Sequence, residues 1–156
     1  MNDQRVTAWY DELQAVHRRL RDGLQVAREA IDSGVEAERL GRDLLIYCWG
    51  FCTALDGHHT SEDRALFPLL LKDRPELADV VSKLKQDHSM LSHLIKALTA
   101  ELNEDADAAS LHRHLDGIEA IMETHFGYEE RQLRDALGSL PTDGGGRADL
   151  FGPIAD

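Results

Sequence analysis

Leu55-Asp56-Gly57-His58-His59-Thr60-Ser61-Glu62-Asp63-Arg64-Ala65-Leu66-Phe67-Pro68 places an imidazole and a carboxylate where a helix core should be apolar. Followed in steps of three and four, Leu44, Cys48, Phe51, Leu55, His58, Glu62 and Leu66 share one face. That spacing is the mark of a core-facing helical stripe. Leaving a charged carboxylate buried and unpaired costs on the order of several kcal/mol, so His58 and Glu62 need a reason to be there. Residues four apart stack one turn from each other, so the two groups can converge on one small volume. Pro68 should kink or end this helix, since it lacks an N–H and crowds the preceding turn.

The same anomaly recurs outward in both directions. Polar breaks fall at Asp32-Ser33-Gly34, at Lys72-Asp73-Arg74-Pro75, and from Asn103 to Asp107. They separate four stretches of roughly 25 to 35 residues with helical periodicity. The first presents Leu13, His17, Leu20, Leu24, Ala27 and Ile31. The third presents Leu77, Val81, Leu84, His88, Leu91, Ile95, Leu98 and Leu102. The fourth presents Leu111, Leu115, Ile118, Met122, His125, Glu129 and Leu133. Short connections favour antiparallel neighbours, which predicts an all-α, up-down-up-down four-helix bundle over residues 1–139. Residues 140–156, with Pro141 and Gly144-Gly145-Gly146, read as a C-terminal tail whose Leu150, Phe151 and Ile154 can dock on the body.

Composition agrees with a helical domain. The chain has 156 residues, 42% hydrophobic and 29% charged, with only 6% aromatic and four prolines. That length suits one core. A formal net charge of -12 repels phosphate backbones and anionic lipid, so nucleic acid and membrane surfaces are poor partners. There is no apolar run long enough to span a bilayer and no apolar leader, and the expected setting is the cytoplasm. Cys48 and Cys52 lie four apart on one helix face, a poor geometry for a disulfide, and read as small core residues.

Every stripe thus carries one histidine, and two carry a glutamate four residues later: His58 with Glu62, and His125 with Glu129. Together with His17 and His88 they offer four nitrogens and two carboxylates from four helices. A carboxylate has two oxygens and can bridge, so the set suits two divalent or trivalent metal ions. His59, about 100° around the helix from His58, is an additional ligand or an outer group. His93 and His112 point away from the core faces, and His114 lies roughly 16 Å along the axis from His125, so none of these three is a ligand. Tyr10 and Tyr128 lie near the set and read as packing residues, with a redox or hydrogen-bonding role beside the set as the alternative. A metal-free bundle with a polar core is the plain alternative.

The segments from Leu55 to Glu62 with Leu66-Phe67-Pro68, Asp87-His88-Ser89-Met90-Leu91, and His125-Phe126-Gly127-Tyr128-Glu129-Glu130 resemble the hemerythrin-like (HHE) family. Val16-His17-Arg18-Arg19-Leu20 completes the likeness, which covers residues 5–138. The resemblance implies a four-helix bundle with two iron ions bridged by Glu62, Glu129 and an oxo or hydroxo group. By the same resemblance, His17, His58, His88 and His125 are terminal ligands. Ferritin-like bundles use Glu-x-x-His, and no Glu-x-x-His occurs in this sequence. Oxygen-carrying hemerythrins have five histidines, two of them in a His-x-x-x-His on the third helix, where this chain has Ser92. Their last motif is His-x-x-x-x-Asp, where this chain has His125-x-x-x-Glu129. One nitrogen is missing unless His59 replaces it.

The family likeness implies chemistry on O2 or H2O2, with catalase-like peroxide decomposition as its concrete form and no catalytic side chain named. A non-catalytic module that binds or senses oxygen, nitric oxide or iron is the second reading. A dinuclear zinc or manganese hydrolase or metal binder is the third, since zinc accepts the same residue types.

Overall fold

The computed structural model describes residues 2–32, 37–103, 107–140 and 147–155. Ser33, Gly34, Pro141 and the Gly144–Gly146 run, on which breaks were expected, lie outside them, as does the side chain of Leu44. Among the described residues every regular element is helical. Helix α1 is Asn2–Asp32, α2 is Ala37–Ser61, α3 is Phe67–Asp73, α4 is Ala78–Asn103, α5 is Ala108–Gly138 and α6 is Arg147–Phe151.

The four predicted stretches are α1, the run from α2 to α3, α4 and α5. α1 packs on α2 and α5, and α4 packs on α5 and α2, closing a ring of four. Contacts run in opposite directions along each neighbouring pair. Between α1 and α5, His17 meets Glu130, Arg21 meets Glu123, and Arg28 meets Asp116 and Glu119. Between α4 and α5, His88 meets His125 while Ser110 reaches back to Glu101. All four stripes face inward: Leu13, Leu20, Leu55, Leu84, Leu91, Leu98 and Leu115 are fully buried. The bundle is therefore the antiparallel one that the periodicity predicts.

Local chemistry accounts for the ends. Asp107 caps α5, its carboxylate accepting the Ser110 N–H at 2.7 Å, which satisfies one of the free donors of the first turn. Pro75 opens a single 3-10 turn, Pro75–Leu77, ahead of α4, where its missing N–H costs nothing.

Pro68 does not end its helix. A π-helical turn, Glu62–Leu66, is inserted upstream, and the Phe67 N–H reaches the Glu62 carbonyl five residues back. Such a wider turn relieves the crowding that a proline ring imposes on the turn before it, so the helix continues through Pro68 to Asp73. The interruption thus begins at the glutamate of the first motif.

The C-terminal residues pack firmly. Leu140, Leu150, Phe151 and Ala155 are buried, and the Phe151 ring lies 5.8 Å from that of Trp9. Arg19 holds the segment from α1 by donating to the Ile154 carbonyl at 2.9 Å.

Candidate metal centre

The bundle brings the six predicted residues and His59 into one place. Among the described residues, His17, His58, His59, Glu62, His88, His125 and Glu129 are the buried polar residues of the core, none more than 5% exposed. They form two adjoining groups. One ligand atom from each of His59, Glu62, His88 and His125 lies within 4.8 Å of the others, and the same limit holds for His17, His58 and Glu129. The mid-helix histidines of α1 and α4 therefore do reach the level of the two His-x-x-x-Glu pairs.

The carboxylates join the groups. Glu129 turns one oxygen to His17 Nε2 at 3.2 Å and the other to His125 Nε2 at 3.4 Å. Glu62 Oε1 lies 3.3 Å from His88 Nε2 and 3.5 Å from His58 Nε2. These separations are within ion-pair range, yet no ring N–H is aimed to make a hydrogen bond. Both oxygens of Glu62, both of Glu129, and Nε2 of His17, His58 and His59 are buried without a hydrogen-bond partner.

Outer partners explain which nitrogens face inward. His58 Nδ1 donates to the Phe151 carbonyl at 2.7 Å, and a carbonyl only accepts, so Nε2 carries the lone pair. His88 Nδ1 pairs with Asp63 at 2.8 Å, His125 Nδ1 with Asp87 at 3.0 Å, and His17 Nδ1 with Glu130 at 3.3 Å. The Nε2 atoms of His88 and His125 lie 3.2 Å apart, so with Nδ1 protonated toward these acceptors they share a proton or a metal ion between them. Bare nitrogens and carboxylate oxygens converging in a dry core repel one another unless a cation sits among them. Nitrogen and carboxylate donors of this kind suit iron, manganese or zinc.

The electrostatics carry the same tension. Burial pushes the His58 imidazole down to about 3, with His17 adding to the effect. His59 is held well below its ordinary value by burial and then by His88, His58 and His125. Burial and the facing Glu129 hold Glu62 well above the usual carboxylate range. For Glu129 burial acts upward, but contacts with His125 and His17 outweigh it and hold the group well down. For His125 burial acts downward and is outweighed by Glu129 and Asp87, which raise it. His17 keeps Glu130 below its ordinary range.

The surroundings of the two groups differ. His17 stacks on Phe126 with centroids 3.8 Å apart, and His58 faces Phe151 at 6.4 Å. His59 and His88 stack at 3.9 Å and line a cleft of about 410 Å³ between α2 and α4. Asp56, Ser92 and Lys96 lie in the same cleft. Ser92 is thus beside the site but offers no nitrogen, and His59 supplies the fifth imidazole. Two neighbours in sequence serve different groups because they leave the helix about 100° apart.

The residues set aside from the sequence stay apart. His93 is exposed, His112 pairs with Asp32 at 2.8 Å, and His114 lies 3.8 Å from Glu101. Tyr10 accepts from Gln14 and lies under Arg134, and Tyr128 lies under Lys83, so both act in packing. Cys48 and Cys52 are free and buried. Sequence reasoning missed Asp63, Asp87, Glu130 and the Phe151 carbonyl. The three acids did leave a signal: each directly adjoins a stripe residue (Glu62, His88 or Glu129) and pairs with a histidine of the neighbouring helix.

The family model for the hemerythrin HHE cation binding domain matches residues 9–137. The chain belongs to this family. No curated protein and no solved structure gives a significant match. For a hemerythrin-like domain the two groups of histidine and glutamate are the place where a metal ion fits. No helix among the described residues is long and apolar enough to cross a membrane.

Proposed function

We propose that this hemerythrin-like chain is a non-haem di-iron protein that reacts with O2 or H2O2, with peroxide disproportionation to dioxygen and water as its activity. The observation that carries the reading is the set of buried, unpartnered nitrogens and oxygens split into two groups. One ion fits among His59, Glu62, His88 and His125, the other among His17, His58 and Glu129, and both glutamates face both groups. Glu62 and Glu129, which face both groups, would hold both ions.

Bound iron supplies the accessible redox states that such a reaction needs. The chain's own residues do the rest. The two carboxylates, both fully buried, would offset the metal charge. Asp63, Asp87 and Glu130 hold their histidines in the tautomer that turns Nε2 inward. The cleft at His59 and His88 gives a small molecule its approach. The bundle, residues 1–139, carries the donors, residues 147–155 of the 140–156 tail lie against His58, and the setting is the cytoplasm.

A non-catalytic oxygen, nitric oxide or iron module is the second reading. The fifth imidazole favours it, because His59 restores the nitrogen count of the oxygen-carrying hemerythrins. Iron-loaded protein given H2O2 separates the two under an oxygen electrode. Sustained oxygen release, lost in His125→Ala, supports the enzyme. A stable ligand-dependent spectrum without release supports the binding module.

A further inference from the structure

His58 differs from the other inward histidines in what fixes it. His17, His88 and His125 are held by carboxylates of the bundle, whereas His58 is held by a backbone carbonyl 93 residues away in sequence. That carbonyl belongs to Phe151, beyond the 9–137 span that the family model matches. It also makes the shortest of the four contacts, at 2.7 Å.

The approach depends on Gly152. Its φ is +92°, a conformation that residues with a Cβ rarely adopt. A Cβ there would meet the Gly57 carbonyl carbon and oxygen and the His58 Cα, each at 3.0 Å. All three are backbone atoms of α2 and cannot swing aside. Glycine at this point therefore lets the C-terminal backbone lie directly against α2 at the turn that carries His58. Phe151, fully buried, and the Arg19 contact to the Ile154 carbonyl anchor the segment on either side.

We propose that residues 147–155 are a positioning element for the His17, His58 and Glu129 group. The Phe151 carbonyl fixes the His58 Nδ1–H tautomer and so aims Nε2 at the ion. Gly152 is the residue that makes this contact achievable. The proposal rests on the metal reading for occupancy, but its tautomer claim stands on the metal-free protein alone.

The test uses the full-length chain and its Gly152→Ala variant. Long-range proton–nitrogen NMR of the metal-free wild type should show His58 protonated on Nδ1, with a slowly exchanging proton. Finding the proton on Nε2 overturns the proposal whether or not the variant folds. In Gly152→Ala that protected Nδ1–H signal should be lost while helix content is kept. Calorimetric titration with cobalt(II) should give two equivalents for the wild type. The variant should keep one equivalent and bind the other about 10- to 100-fold more weakly, the range for losing a ligand's outer partner. Equal binding of both equivalents in variant and wild type, or equal weakening of both, overturns the proposal. A wild type that binds no metal but shows the Nδ1–H tautomer sinks the metal reading and leaves the positioning contact in place.

Discussion

Replacing Glu62 by leucine should make the metal-free protein more stable and the iron-loaded protein relatively less so. Glu62 is fully buried, both its oxygens lack a hydrogen-bond partner, and burial with Glu129 holds its carboxyl well above the ordinary range. An unsatisfied buried polar group costs about 1–3 kcal/mol. Exchanging buried ionic groups for apolar ones of similar volume is often neutral or stabilising by about 1–4 kcal/mol, and Glu62 has no hydrogen-bond partner to leave behind. The metal-free Glu62→Leu protein should therefore gain about 1–4 kcal/mol, or roughly 0.5–2 M in urea midpoint at an m value of about 2 kcal/mol per molar. Iron reverses the comparison. At a free iron concentration about 1,000 times its Kd, the wild type gains about 4 kcal/mol per site, and the variant, lacking a donor to both groups, gains much less. The assay is urea unfolding followed by circular dichroism, with chelator and with ferrous iron under anaerobic conditions. A variant less stable than the wild type by several kcal/mol without metal would show that Glu62 holds the core through protein partners. The same ranking with and without iron would show that no ion binds there. Either result refutes the reasoning.

Other outcomes follow from the same geometry. Asp63→Asn and Asp87→Asn should each weaken metal binding about 10- to 100-fold in a cobalt titration while the melting temperature of the metal-free protein changes little. Stability of the metal-free protein should fall with acid. His58 at about 3 and His59, also depressed, take up protons on unfolding below the ordinary 6.5, and raised Glu62 offsets one of them down to 4.5. Below 4.5 the depressed Glu129 and Glu130 add to the loss, so urea midpoints measured against pH should decline gently from 6.5 and steeply below 4.5, not stay flat. Burial pushes the Cys48 thiol up to about 11 and Cys52 to about 12, so Ellman's reagent at pH 8 should label neither in the native protein and both in denaturant.

The bundle was legible because its stripes obey helical spacing: Leu13 to Ile31 and Leu111 to Leu133 are buried at every position named, while Leu77, Ile95 and Leu102 of the third stripe are half-buried. That the six candidate residues meet in the core was legible for the same reason, since each sits on a stripe where an apolar side chain belongs. His59 was left open because spacing places it off the stripe. Only the three-dimensional arrangement shows a second group standing beside the first, on the side that His59 faces. The response to Pro68 was half legible: the proline announces a disturbance, but the choice of a π turn depends on packing at Glu62 and Leu66. The acids that orient the histidines act across helices, so no spacing rule within one helix finds them. The Phe151 carbonyl was hidden most deeply, because a backbone acceptor leaves no residue type to read.

A pair of irons held by these histidines and glutamates is what the proposed function requires. The direct measurement is metal content together with near-ultraviolet absorption, on protein purified from iron-replete cells and on Glu129→Ala. Two irons per chain with an oxo-bridged charge-transfer band, both lost in the variant, are the expected result. Iron-free protein, with the variant folding as well as the wild type, would contradict it.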